Sequence, residues 1–505
     1  MKSPRVILFL VIGLLLVQSC TVSTRQAYLA SSERPEAAIN FFEQLEQEVK
    51  KEAVQNVVYA TVRGFPYLRA DRFLAGMKDY LKTEAQRREW IAWLMKRARE
   101  ARRTEIKALS SSAVQALLSN ADVDATQNRQ SLIEQADLFA ERLYQYDASR
   151  PQFIQAVKAS VRVPDDYSTA MRVFGLYPLA YLPVVYFSDK AFDDIRERFQ
   201  QAPSDYAAQG ELIAYRAVSQ SGTSPIPIES LFSSDRRNAL GMITLSDAEL
   251  KALVERFAPV ILQDTVESYD RIGEMIWKEG EPQLQFSTPT IYYYLTYGLK
   301  RNDPVIQLNY AFWYTKRDGE RAPWFERGAF DGMTIRVSLD EQGEPFMVDV
   351  MNTCGCYHLF LPDPEKIASA VELDFEIDPL VPAWIPFSSA SVPWQYAINS
   401  GWHQLEYVKQ APAPQDATPY QLQPYENLEA LPAMNGMTRN AFDAEGILKA
   451  SYRIEPYIFF SMGIPKVGYM RQRGHHPIKM VGREHFDNPD LFNLNFIYRK
   501  ENTNQ

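Results

Sequence analysis

Residues 332–352 read GMTIRVSLDEQGEPFMVDVMN. Met333, Ile335, Val337 and Leu339 alternate toward one face of an extended chain, since successive strand side chains point to opposite sides. The polar break around Gly343 supplies a turn, and the stretch reads as a hairpin. Upstream, TPTIYYYLTYG (288–298) and VIQLNYAFWY (305–314) carry the aromatic and β-branched residues that favour strands. Downstream, prolines are frequent from Pro362 to Pro432, and QAPAPQDATPYQLQP (410–424) is expected to be irregular and largely extended. GILKASYRIEPYIFFSM (446–462) is a last strand-like run.

The N-terminal pattern is different. From Pro35 to about Gln201 apolar residues recur three or four apart, as in Ile39, Phe42, Leu45 and Val49, or Leu132, Ala136, Phe139 and Leu143. Thr83 with Gln86, and Ser246 with Glu249, are spaced as capping boxes. The basic run from Arg87 to Lys107 is interleaved with Glu89, Glu100 and Glu105 and reads as a solvated helix face. VFGLYPLAYLPVVYF (173–187) has no charge but is broken by Pro178 and Pro183. It reads as a buried connector, with the membrane interface as the competing place. The expected fold class is therefore α+β: an all-α N-terminal half, 35–245, followed by a β-rich C-terminal domain with long loops, 246–505.

The first residues are addressing information. Lys2 and Arg5 precede a twelve-residue apolar run, Val6 to Val17, too short for the roughly 20 residues that span a bilayer. Val17, Ser19 and Cys20 then resemble the lipobox of bacterial lipoproteins. That resemblance covers residues 1–20 and implies a signal peptide over 1–19, lipidation of Cys20, and a tether over 20–34. It implies a membrane partner through the lipid, and Thr21 after the cysteine favours the outer membrane over the inner.

Loss of Lys2 and Arg5 lowers the basic count from 54 to 52 against 63 acids, a mature net charge of −11. That acidic balance argues against nucleic acid as a partner, since phosphate binding needs clustered positive charge. Hydrophobic content of 46 % is enough for a packed core, which excludes a disordered tether.

With Cys20 lipidated, Cys354 and Cys356 are the only thiols, in an exported compartment that permits disulfides. All five histidines lie between His358 and His485. On a straight strand Cys354 and His358 would stand about 13 Å apart, too far for one zinc ion with bonds of about 2.0 to 2.3 Å. Gly355 therefore decides the reading, because a kink there gathers the local ligands. A zinc site would use Cys354, Cys356 and His358, closed by His475 or His476 from RQRGHHPIKMVGREHF. The same kink serves a strained local Cys354–Cys356 disulfide.

Arg471 and Arg473 are candidate anion-binding groups beside that metal. Together these residues point to a metal-dependent hydrolase of an anionic envelope polymer. The alternative is a non-enzymatic scaffold or binding lipoprotein with a protein partner and the local disulfide. Cys356 as a nucleophile, or a carboxylate pair among Asp264, Glu267, Asp270 and Glu274, are further options. His403, beside Trp402, reads as a structural histidine.

Overall fold

The computed structural model describes residues 28–29, 34–120, 128–218, 227–373, 376–387 and 392–500. Cys20 and its leader lie outside the described residues. The chain forms two compact units, Met1–Pro164 and Asp165–Gln505.

The first unit packs helices α1 (Glu36–Lys51), α2 (Arg72–Met77), α3 (Glu84–Ala108), α4 (Ser111–Asn120), α5 (Arg129–Ala148) and α6 (Phe153–Ser160). Helix α3 begins at the capping box in which Thr83 and Gln86 exchange bonds with each other's backbone, satisfying two N–H groups that the helix leaves unpaired. Its basic run is paired: Arg97 meets Asp71 at 3.0 Å, and Arg103 meets Asp137 at 3.1 Å. A hairpin of β1 (Ala60–Val62) and β2 (Phe65–Ala70) lies among these helices, turning at Gly64 with φ +87°.

The second unit opens with α7 (Thr169–Phe174) and α8 (Tyr177–Gln200). Its sheet strands are β3 (Glu211–Ala217), β4 (Val260–Thr265), β5 (Thr290–Lys300), β6 (Asp303–Arg317), β7 (Gly328–Leu339) and β8 (Pro345–Asn352). They continue with β9 (Leu359–Pro362), β10 (Trp394–Ile398), β11 (Leu405–Gln410) and β12 (Thr418–Pro424). These ten form one sheet in the order β9-β8-β7-β6-β5-β12-β3-β4-β10-β11. Helix α9 (Asp247–Arg256), started by the Ser246–Glu249 capping box, leads into β4.

Strands β5 to β9 form an antiparallel meander, and β7–β8 is the hairpin expected from the alternation. Every residue of β8, and β7 from Phe330 onward, is buried, so this hairpin is covered on both faces. Burial on both faces explains how Arg336 and Asp349 come to face each other inside the protein; unpaired, either would be prohibitive there.

The fold class expected from the sequence is corrected by two observations. The N-terminal half is not all-α: it contains the β1–β2 hairpin, and β3, from a stretch expected to be helical, lies inside the sheet. ELIAYRA is a short apolar run that reads equally as strand or helical turn, and its pairing with β4 and β12 decides the outcome. The proline-rich segment also enters the sheet. β12 is extended as expected, but Thr418–Tyr420 pair with β3 in parallel and Gln421–Pro424 pair with β5, which staples the two halves of the sheet together. The stretch 446–462 is not a strand: it is loop with a short helix α10 (Glu455–Ile458). Among the described residues no helix is long and apolar enough to cross a membrane.

Candidate functional site

Strand β8 ends at Asn352, and the chain reverses over Asn352–Cys356. The Gly355 N–H donates to the Asn352 carbonyl at 2.8 Å, and the Asn352 N–H donates to the Cys356 carbonyl at 3.1 Å. Gly355 has φ +91°, a conformation that residues with a Cβ rarely adopt. A Cβ there would lie 2.3 Å from the Pro477 carbonyl oxygen. The turn is also tied to its surroundings by Thr353 N–H to Gly332 O at 2.8 Å and Arg471 N–H to Thr353 O at 3.0 Å. The cysteine turn and the 471–477 segment are thus packed backbone to backbone.

Within the turn both cysteines are free thiols. Cys354 is buried and Cys356 partly exposed. The Cys356 N–H donates to the Cys354 sulfur at 3.3 Å. Burial disfavours ionisation of Cys354. The hydrogen bond from the Cys356 thiol and the Arg317 charge overcome it, drawing Cys354 below its ordinary range. Cys356 is pushed well above its own range by sharing that hydrogen bond with Cys354, and then by burial. The two shifts run in opposite directions, so Cys354 is the sulfur of the pair that ionises first.

The charges around it come from distant parts of the chain. Arg317, at the end of β6, forks onto Asp331 at 2.9 and 3.0 Å and reaches Glu326 at 2.6 Å. Glu326 also accepts from the Tyr357 hydroxyl at 2.6 Å and the Trp402 indole at 3.0 Å. Glu455, on α10, is buried, and its carboxyl is pushed up to about 9, first by burial and then by the negative charge of Cys354 and Glu326. At neutral pH the Glu455 carboxyl is therefore protonated beside the thiol pair.

The histidines do not join the thiols. His358 bonds Asp349 at 2.7 Å, which Arg336 grips with two bonds of 2.9 and 2.6 Å, and its ring lies between Phe360 and Phe486. His475 meets Asp166 at 3.2 Å. His476 is buried beside Phe486 and pulled down to about 3, first by burial and then by the positive charge of Arg471 and His475, so its ring is neutral. His403 lies between Asp331 at 2.8 Å and Asp270 at 3.1 Å, stacked on Tyr314 with ring centroids 3.8 Å apart. Among the described residues, no group of three or more His, Cys, Asp and Glu side chains is gathered as a metal shell.

The two candidate anion-binding arginines are engaged by the protein. Arg473 pairs with Glu429 at 2.9 Å and Glu426 at 3.0 Å, and Arg471 donates to the carbonyls of Pro465 and His475 at 2.5 and 3.3 Å. Of the four carboxylates, Asp264 accepts from Tyr206, Gln209 and Gly210, each at 2.8 Å, and Glu274 accepts from Gln285 at 2.7 Å. Asp270 accepts from Gly401 and Ser400 at 2.7 and 2.8 Å, and Glu267 caps the short turn Ser268–Asp270.

Sequence reasoning missed Arg317, Glu326 and Glu455. The available signal was Glu455, a lone acid in the apolar run around YRIEPYIFF. No protein-family model matches the chain, and comparison with curated proteins and with solved structures finds no match.

Proposed function

We propose that the protein is an envelope lipoprotein whose second unit carries a dithiol–disulfide couple, Cys354–Gly355–Cys356, exchanging with the thiols of another molecule. The observation that carries the reading is the turn itself. It sets two thiols against each other, stabilises one as thiolate through Cys356 and Arg317, and leaves the other partly exposed.

The direction follows from physical chemistry. A disulfide across one intervening residue closes a small ring whose strain makes it more readily reduced. Stabilisation of the Cys354 thiolate favours the reduced form in the same sense. The couple is therefore oxidising: the loop disulfide accepts two electrons from a substrate dithiol.

In the first step a substrate thiolate attacks the Cys356 sulfur. A mixed disulfide forms, the Cys354–Cys356 bond breaks, and Cys354 leaves as thiolate toward Arg317 and the Cys356 N–H. In the second step the other substrate thiolate attacks the substrate sulfur bound to Cys356, closing the substrate disulfide. The expelled Cys356 takes a proton from Glu455, which is restored from solvent. Two substrate thiols have then lost two electrons and two protons; the loop has gained the electrons and one proton, and one proton enters solvent. Re-oxidation of the loop by a more oxidising partner disulfide is the same exchange in reverse.

The test is equilibration in glutathione redox buffers followed by alkylation and mass measurement. The expected result is a midpoint above roughly −200 mV, and catalysed disulfide formation in a reduced, unfolded protein that is lost in Cys356→Ser. Thiols that stay reduced in every buffer would overturn the reading, as would a disulfide below about −300 mV, the range of inert structural bridges.

A further inference from the structure

The uncharged segment 173–187 is not buried. Phe174, Leu179, Tyr186 and Phe187 are 81, 70, 67 and 66 % exposed. Leu179, Leu182 and Tyr186 are spaced i, i+3, i+7 and form one stripe along the first turns of α8. The opposite side of the same turns, Tyr177, Tyr181, Val184 and Val185, packs on Ile377, Met462 and Val481. This half of the helix is thus apolar all round while only its inner side is covered by described residues. Such a pattern belongs to a helix with a second apolar neighbour. From Asp189 onward the helix becomes charged, so the apolar face ends abruptly.

The face extends beyond the helix. A Cβ at Gly175 would lie 2.5 Å from the Ser461 Cα, so the joint between α7 and α8 abuts the segment after α10. On α10 itself, Tyr457 is 84 % exposed.

We propose that this face, α7 with the first half of α8 and the adjoining Tyr457, seats in the interfacial layer of a phospholipid bilayer. A bilayer is the fitting occupant because of where the proposed lipid anchor sits in the chain: Cys20, the lipidation site of the proposed lipoprotein, stands 8 positions before Tyr28, the first described residue, which is buried and donates to Asp147 at 3.0 Å. At about 3.3–3.6 Å per residue that stretch reaches at most about 29 Å, which keeps the first unit close to the membrane that holds the lipid, and the second unit follows directly in the chain from Asp165. The face carries the mixture of Leu, Phe and Tyr that interfacial helices bury among headgroups. It lies on an acidic protein, so its attraction to the bilayer is apolar rather than electrostatic. This inference rests on the lipid anchor of the proposed function and is independent of the thiol couple.

The test uses the chain from Thr21 onward, which keeps every described residue and lacks the lipid. Flotation with phosphatidylcholine vesicles is expected to carry the protein upward, undiminished in 1 M salt and no stronger with anionic vesicles. The pair Leu179→Glu and Leu182→Glu, and separately Phe174→Glu, are expected to lower partitioning at least tenfold. Their far-ultraviolet spectra and thermal unfolding should match the parent, since the positions are exposed. The proposal falls if the parent does not float, or if the variants float equally. It also falls if the parent self-associates without binding vesicles and the same substitutions dissolve the dimer, because the occupant is then a second copy.

Discussion

The backbone N–H of Cys356 donates to the sulfur of Cys354 at 3.3 Å, so one cysteine of the turn solvates the charge of the other. Arg317 adds its field without a direct bond, because its fork is occupied by Asp331 and Glu326. Cys356→Ala keeps the backbone donor but removes the thiol that holds Cys354 down. The pH midpoint for alkylation of Cys354 should rise, and its rate with iodoacetamide at pH 7 in mild denaturant-free buffer should fall several-fold. An unchanged profile would mean that Arg317 and the backbone suffice.

Gly355 meets both conditions that forbid a side chain, a positive φ of +91° and a backbone oxygen 2.3 Å from the Cβ position. Gly355→Ala should destabilise the second unit by about 1–3 kcal/mol, read as a lower denaturation midpoint. The thiols should become more rapidly alkylated, because the turn must move away from Pro477.

Glu455 provides a pH signature. Its folded value of about 9 stands above the ordinary 4.5 of a carboxyl, so the fold prefers it protonated. The stability it contributes is complete below about pH 4.5 and is lost as pH rises through 9. Glu455→Gln mimics the protonated form. Thermal unfolding of the variant should match the parent near pH 5 and exceed it increasingly toward pH 9. If the dithiol couple operates, the same variant should also slow substrate disulfide formation near neutral pH.

His403 is a positioning residue for the carboxylates behind the thiols. Burial opposes its protonation, but Asp270 and Asp331 overcome this and raise it, while both aspartates are held below their ordinary range. The carboxylates' contribution is present above about pH 4 and is lost as pH falls; the histidine's is present below about 6.5 and is lost as pH rises through its elevated folded value. The cluster should support the fold most strongly between those limits. His403→Ala, which leaves Asp270 with no ion-pair partner among the described residues, should destabilise by about 3–5 kcal/mol in denaturant titrations at pH 6.

Local patterns were legible because they are enforced within a few residues. The Thr83–Gln86 and Ser246–Glu249 boxes, the β7–β8 hairpin and the kink at Gly355 each depend on neighbours along the chain, and each is present. The site was legible only in part. The Cys-Gly-Cys turn and the RQRGHH segment do meet, through Arg471 N–H to Thr353 O, yet the imidazoles that suggested a shared metal turn to Asp349 and Asp166 instead. Ring direction depends on which carboxylate lies opposite, and no spacing in the sequence encodes that.

By itself the sequence determined the amphipathic helices of the first unit, the strands of the meander and the pair of thiols at a glycine turn. These follow from periodicity and backbone sterics, which act locally. Tertiary structure alone decided that ELIAYRA and a proline-rich segment complete a ten-stranded sheet, and that 173–187 faces outward. It also decided that Arg317, 37 residues before Cys354, draws that thiol down, and that Cys354 in turn helps to push up Glu455, 101 residues after it. Strand partners, burial and electrostatic fields arise between residues far apart in the chain, and only the folded arrangement brings them within reach of one another.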